Sequence, residues 1–378
     1  GERLARVVWL LVLAITAIAL IGVAMLYSAA GGSASPWASR HAIRYAAGLA
    51  LMLGIGVLGL RRLFSLAYLG YGACFLLLVL VAVVGTGAGA TRWIDLGFMR
   101  LQPSELMKVA IVLALARLLH QAGPDSADRL HVLIPSLALI AAPAALVLKQ
   151  PDLGTAALIV AGGVVVLFLA GVAWWKFALA IGAAAAAAPV AWSFLHDYQR
   201  ARVMTFLEPE RDPLGAGYHI LQSMIALGSG GAFGKGWLQG TQSHLSFLPE
   251  KHTDFVFTML GEELGLAGGV FVLLLFAVVI GRLYRIGIAA ESRFGRLTAL
   301  GVATTIFFYV FVNIAMVMGL APVVGVPLPF VSYGGTAMLT LQIGLGLALA
   351  VAIDRRETTA ASRRWRFARS PHGAPLVV

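Results

Sequence analysis

Stretches of about 20 apolar residues, the length that crosses the hydrocarbon core of a bilayer, recur along this chain. They fall at about 7–28, 43–60, 65–85, 104–120, 131–148, 153–172, 175–195, 255–281, 296–319 and 334–353. The chain is 60% hydrophobic and only 12% charged, with a mean hydropathy of +0.89. Soluble domains carry charge on about a quarter of their residues, so a soluble fold is excluded. The predicted fold is an all-α integral membrane protein of ten transmembrane helices. Residues 1–354 form a polytopic membrane domain, and one large extracytoplasmic loop, 195–254, separates the seventh and eighth spans. Residues 355–378 form a basic cytoplasmic tail. The first apolar stretch is too long for the core of a signal peptide and reads as a retained signal anchor, while Gly1 suggests a trimmed start. Cys74 is the single cysteine, which leaves no internal disulfide and no cysteine metal cluster.

Lys and Arg set the orientation. Arg3 and Arg6, Arg61 and Arg62, Arg117 and Arg129, Lys176, Arg282 to Arg296, and Arg355 to Arg369 all fall on one side of ten spans. That side is the cytoplasm, so the chain is predicted to be a multi-pass protein with both termini inside. The net charge of +11 then reflects the positive-inside rule and anionic membrane lipids rather than nucleic acid, for which no recognition motif is present. The exceptions are informative. Arg40, Arg44, Arg92, Arg100, Lys149, Arg200, Arg202, Arg211, Lys235 and Lys251 fall outside. Singly, each could snorkel to lipid phosphates. As a set they suggest an anionic ligand.

Ionisable groups near the membrane are costly and usually functional. Glu105 and Lys108 stand three residues apart at the start of the fourth span, on one helix face. They read either as a self-neutralising ion pair or as the lining of a polar cavity. Pro103 suits the helix start and Ser104 could cap it. Asp152 reads as a helix cap or a ligand. Trp93 looks interfacial, and Arg92 and Arg100 have the forked donors that suit a diphosphate. In the long loop, Tyr218–Leu227 has the apolar spacing of a short helix lying on the membrane. Gly228–Gly236 tempts a phosphate-loop reading, but the spacing is wrong and no strand precedes it. Its glycines are expected to keep backbone tight and mobile near a ligand. Gly325–Gly335 contains two prolines and a glycine pair, which exclude a regular helix. The charged run Pro249-Glu250-Lys251-His252-Thr253-Asp254 abuts the eighth span.

Four blocks together resemble the SEDS family (shape, elongation, division and sporulation). They are Gln102-Pro103-Ser104-Glu105-Leu106-Met107-Lys108, Gln150-Pro151-Asp152-Leu153-Gly154, Pro249–Phe255 and Pro329-Phe330-Val331-Ser332-Tyr333-Gly334-Gly335. The phrase Gly319–Pro329 is similar to the elongation branch of that family rather than the division branch. The resemblance implies a peptidoglycan glycosyltransferase. Such an enzyme polymerises lipid II on the outer face of the bacterial inner membrane and works beside a class B penicillin-binding protein, a transpeptidase. The family's essential aspartate falls on Asp254, and its intramembrane pair on Glu105 and Lys108.

That chemistry agrees with the residues. Glycosyl transfer from a lipid diphosphate needs a base for the acceptor hydroxyl and cations for the departing diphosphate. Asp254 is the expected catalytic residue. Arg40, Arg92, Arg100, Gln102, Glu105, Lys108, Lys149, Asp152, Lys251 and Ser332 are the expected substrate-binding set. A divalent cation, Mg or Mn, bound at Asp254 could share the work. No nucleotide is needed, because the lipid is itself the activated donor. Three rival readings stand beside this one: a flippase for the lipid-linked precursor, a division-branch polymerase, and a scaffold that only docks the penicillin-binding protein.

Overall fold

A computed structural model describes residues 2–84, 92–95, 97, 100–194, 197–208, 216–241 and 252–368. The chain is mostly helical. In order come α1 (Glu2–Ala29), α2 (Ala38–Gly56), α3 (Leu60–Val84), the strands β1 (Ile94–Asp95) and β2 (Arg100–Leu101), and α4 (Pro103–Ala122). Then follow α5 (Leu130–Lys149), α6 (Leu153–Leu169), α7 (Trp174–Phe194), α8 (Asp197–Leu207), α9 (Ala216–Ser229), α10 (Val256–Ile288), α11 (Arg293–Val317) and α12 (Gly335–Ala368). A helix lies on each predicted span. Six of them, α1, α3, α5, α10, α11 and the 335–354 part of α12, are long and apolar enough to cross a membrane, while α6 and α7 are apolar but shorter.

The wall of the molecule and its centre differ in a way that a bilayer explains. Helices α1, α3 and α10 expose Leu13, Leu20, Leu69, Leu76, Phe271 and Leu274, as lipid-facing surfaces do. By contrast α4, α11 and α12 are largely buried. The polar groups of the site sit on or beside these central helices.

The small antiparallel ribbon pairs Ile94 with Leu101 and Asp95 with Arg100; it is a minor departure from an all-helical chain. Among its described residues the predicted long loop carries two helices, α8 and α9. Helix α9 does cover Tyr218–Leu227, but its buried face meets protein. Ser223 Oγ lies 2.6 Å from Thr258 Oγ1 of α10 and donates to the Val317 carbonyl of α11 at 2.7 Å.

Helix α10 is broken at Gly265, whose φ of 67° and ψ of −166° are non-helical and are accessible essentially to glycine alone. A break strands backbone groups, which lipid cannot satisfy. The glycine-rich segment supplies the partners. Lys235 N–H and Gly236 N–H donate to the carbonyls of Glu262 and Glu263, both at 3.0 Å. Leu266 and Ala267 N–H donate to Gly231 O and Ala232 O at 2.9 and 3.0 Å. A β-carbon on Gly234 would stand 2.1 Å from Glu263 O. These glycines therefore serve close packing on the break, rather than the mobile ligand loop that the composition suggested.

Candidate functional site

One end of the helix bundle gathers the polar residues in two linked tiers. The deeper tier is on α4. Pro103 opens the helix, and the residue flanking it is Gln102, without a side-chain cap bond; Ser104 lies inside the first turn and does not cap it. Helical spacing then places Lys108 Nζ 2.6 Å from Glu105 Oε1, with both side chains almost fully buried at 3% and 6% exposure. Tyr309 of α11 donates its hydroxyl to Glu105 Oε2, and Lys108 Nζ stands 4.3 Å from the Tyr309 ring centroid. Glu105 thus accepts from two donors, and Lys108 is placed between a carboxylate and an aromatic face. Both members of the pair are partnered, which a buried pair requires.

The shallower tier is built by turns. Asp152 caps α6 by accepting from Thr155 N–H at 3.2 Å, and its other oxygen accepts from Gln102 Nε2 at 3.2 Å. Gly154 packs on Val324, where an added β-carbon would meet Val324 O at 2.7 Å. Asp254 lies in the turn that enters α10. A β-carbon on Gly325 would stand 3.4 Å from Asp254 Oδ2, so the carboxylate faces the irregular 318–334 segment. As the prolines required, that segment is non-helical. The neighbouring His252 stacks on Trp37, with ring centroids 4.4 Å apart, and contacts the Tyr333 ring, over which the Arg44 guanidinium lies at 4.9 Å. Tyr333 N–H donates to His252 O at 2.9 Å.

The structure thus joins Gln102 to Asp152 and Glu105 to Lys108, and sets the Asp254 carboxylate against Gly325, the residue that follows the Val324 on which Gly154 packs. Other expected ligands have structural partners. Arg92 donates from Nε to Gln150 O at 2.8 Å and from its terminal nitrogen to Pro151 O, holding the turn before Asp152. Arg100 lies 3.8 Å from Asp95 on the exposed ribbon. Ser332 Oγ accepts from Leu328 N–H at 2.8 Å and closes its own turn. Arg40 and Lys149 are exposed. Lys251 and Glu250 lie outside the described residues. Lys235, expected among the outer cations, pairs instead with Glu262 at 2.8 Å. Sequence reasoning passed over Tyr309 and Asn313. The available signal was a tyrosine and an asparagine at i, i+4 in a largely apolar span.

Among the described residues no three His, Cys, Asp or Glu side chains converge to hold a metal ion. Asp254 could contribute one carboxylate to a cation whose remaining ligands come from water and phosphate, a common arrangement for Mg²⁺.

The chain matches known proteins along most of its length. The family model for FtsW, RodA and SpoVE, described as cell cycle protein, matches residues 2–357. Peptidoglycan glycosyltransferase MrdB of Escherichia coli (strain K12) is 50% identical over 289 residues, covering 76% of this chain and 77% of that protein. A chain from a peptidoglycan synthase complex, solved to show coordination of polymerization and crosslinking, superposes with a TM-score of 0.81 at 36% identity, covering 92% of this chain and 98% of that one. The crystal structure of Thermus thermophilus rod shape determining protein RodA gives a TM-score of 0.69 at 32% identity, covering 92% and 97%.

Proposed function

This chain belongs to the FtsW/RodA/SpoVE family of cell cycle proteins, and from that premise we infer what its site does. It is a peptidoglycan glycosyltransferase of the elongation branch that polymerises lipid II into glycan strands. The observation that carries the site assignment is Asp254 at the entrance of α10, its carboxylate facing the non-helical 318–334 wall.

Asp254 takes the proton from the acceptor sugar hydroxyl. The freed oxygen forms the new bond to the anomeric carbon of the donor, and the bond to the diphosphate breaks, leaving its electron pair on the phosphate oxygen. The position ahead of the first turn of α10 favours an ionised carboxylate. That is the form a base needs, although it lowers basicity. Lys108 and Glu105 line the polar floor, while Gln102 and Asp152 order the neighbouring wall. Arg40, Arg44 and Lys149 remain available to a diphosphate at the rim. A divalent cation held by Asp254 would supply charge neutralisation for the departing diphosphate. The partner is a class B penicillin-binding protein, supported by a related chain found in a complex that couples polymerization and crosslinking.

The site faces the outside of the inner membrane, and the molecule crosses that membrane ten times with both termini in the cytoplasm. Support comes from how the turns sort. Arg293 donates to Ala170 O at 2.8 Å and Lys176 pairs with Asp128 at 2.9 Å, which ties three basic turns at the end opposite to Asp254. A cysteine introduced beside Gly236 should react with an impermeant reagent added to intact cells, and one beside Arg285 should not.

The decisive experiment gives purified protein lipid II in detergent. Wild type should form glycan polymer with no membrane to cross, which a flippase alone cannot do. Asp254→Asn should fold, retain its partner and lose about 10²–10⁴-fold in rate. Glu250→Gln and His252→Ala should keep measurable activity. An active Asp254→Asn with a dead His252→Ala would move the base to the histidine.

A further inference from the structure

Helix α11 joins the two tiers of the site through two side chains one turn apart. Tyr309 donates to Glu105 of the buried pair. Four residues on, the Asn313 amide donates from Nδ2 to the Asp254 carbonyl at 2.8 Å and to the Val326 carbonyl at 2.7 Å. Asn313 is fully buried. Its two bonds reach backbone on both walls of the reaction centre, the turn carrying Asp254 and the segment carrying Gly325, which Asp254 Oδ2 faces. The main-chain bond from Tyr333 N–H to His252 O also joins the two walls, but Asn313 does so with a side chain that can be exchanged.

The chemistry of the amide is directional. Asn313 Nδ2 has two N–H groups, and both find carbonyls. Its Oδ1 is buried without a hydrogen-bond partner. A residue selected here for stability alone would be apolar, since an orphaned acceptor is a net cost. Leucine has nearly the same shape and no such group. The donor function is what asparagine adds.

We propose that Asn313 is a positioning residue for Asp254: it fixes the width between the Asp254 turn and the 318–334 wall, and Tyr309 registers that spacing to Glu105 and Lys108. The inference rests on the glycosyltransferase reading. It adds that the buried pair acts on catalysis through α11 and without touching the reacting atoms. Misplacement of a reacting group by about 1 Å can cost on the order of 10²-fold in rate. Substrate contacts are not altered, so the loss belongs in kcat.

The test compares wild type, Asn313→Leu, Asn313→Gln and Tyr309→Phe as full chains in complex with the penicillin-binding partner, polymerising lipid II. Asn313→Leu should elute as the intact complex, with kcat down about 10–100-fold and KM within about threefold of wild type. Asn313→Gln retains the donor on a longer stem and should recover part of that kcat. Tyr309→Phe should lower kcat less, again at constant KM. Full kcat in Asn313→Leu, or a loss confined to KM, overturns the proposal. If Asn313→Leu does not assemble, Asn313→Ser is measured instead. Its single hydroxyl cannot reach two carbonyls, and a wild-type kcat there also overturns the proposal. A wild type that forms no polymer defeats the functional reading itself, whereas an active wild type with active Asn313 variants defeats only this inference.

Discussion

Among the described residues two lysine–glutamate pairs lie at nearly the same separation, 2.6 Å for Lys108–Glu105 and 2.8 Å for Lys235–Glu262. The first is local. Both residues sit on α4, and helical geometry alone brings them together. The second is remote in sequence and joins the glycine-rich segment to the break in α10. Lys108 is 3% exposed and Lys235 is 26% exposed, although Glu262 is fully buried. Glu105 is completed by a tyrosine from another helix, and Glu262 by Thr241, whose hydroxyl donates at 3.1 Å. The contrast separates two uses of one chemistry. The local pair is a preformed polar floor under a reaction centre. The remote pair fastens a loop to a broken helix whose first half begins beside Asp254.

The sharpest way to break this comparison is at the local pair. Glu105→Ala or Lys108→Ala leaves one charge in low dielectric and should cost about 3–5 kcal/mol, read as a fall in thermal stability or in recovered protein. Glu105→Leu with Lys108→Met removes both charges. Because apolar replacement of a whole buried pair is often neutral, the double variant should fold and yet polymerise poorly. An active double variant would demote the pair to packing. At the remote pair the largest effect belongs to the backbone. Gly265→Ala forces a side chain into a conformation that costs about 1–3 kcal/mol, and its β-carbon would lie 2.3 Å from Gly234 N. Lys235→Met, which removes only the cation from a pair that water reaches at its lysine end, should cost less than Lys108→Ala, about 1.5–3 kcal/mol for a bond to a charged partner. If Lys235→Met proved worse than Lys108→Ala in a thermal melt, the assignment of floor and fastener would be reversed.

Much of this was visible before any coordinates. Apolar runs and the scarcity of charge identified a membrane protein and located its long helices. The i, i+3 spacing identified Glu105 and Lys108 as neighbours, and two prolines announced the irregular 318–334 segment. All of these signals are local along the chain. What escaped notice is long-range. Nothing near Lys235 points to Glu262, and Gly265 is one glycine among 43. The glycines at 230–236 looked like a ligand loop because their partner, the break in α10, could not be foreseen. Asn313 was passed over for the same reason: its two acceptors are backbone carbonyls, which every sequence contains. Arg92 and Arg100 were assigned to a ligand by their forked donors and outer position, and their protein partners, the Gln150 and Pro151 carbonyls and Asp95, lie in segments that no local pattern connects to them.

The smallest predicted effect lies at the opposite end of the bundle. There Asp128 accepts from Ala173 N–H at 3.0 Å and pairs with Lys176 at 2.9 Å. It is a further ion pair, this time on the surface, where such pairs contribute little. The Ala173 amide first, and Lys176 after it, hold the Asp128 carboxyl below its ordinary value of 3.8. A carboxyl depressed in the folded state stabilises fully above its unfolded value, and that contribution is lost as pH falls through the folded value. Asp128→Asn should therefore lower the melting temperature slightly at neutral pH, and the gap to wild type should narrow as pH falls below 3.8. A gap that stays constant across that range would mean that the turn is held by the Lys176 bond to the Asp128 main-chain carbonyl, at 2.7 Å, and not by charge.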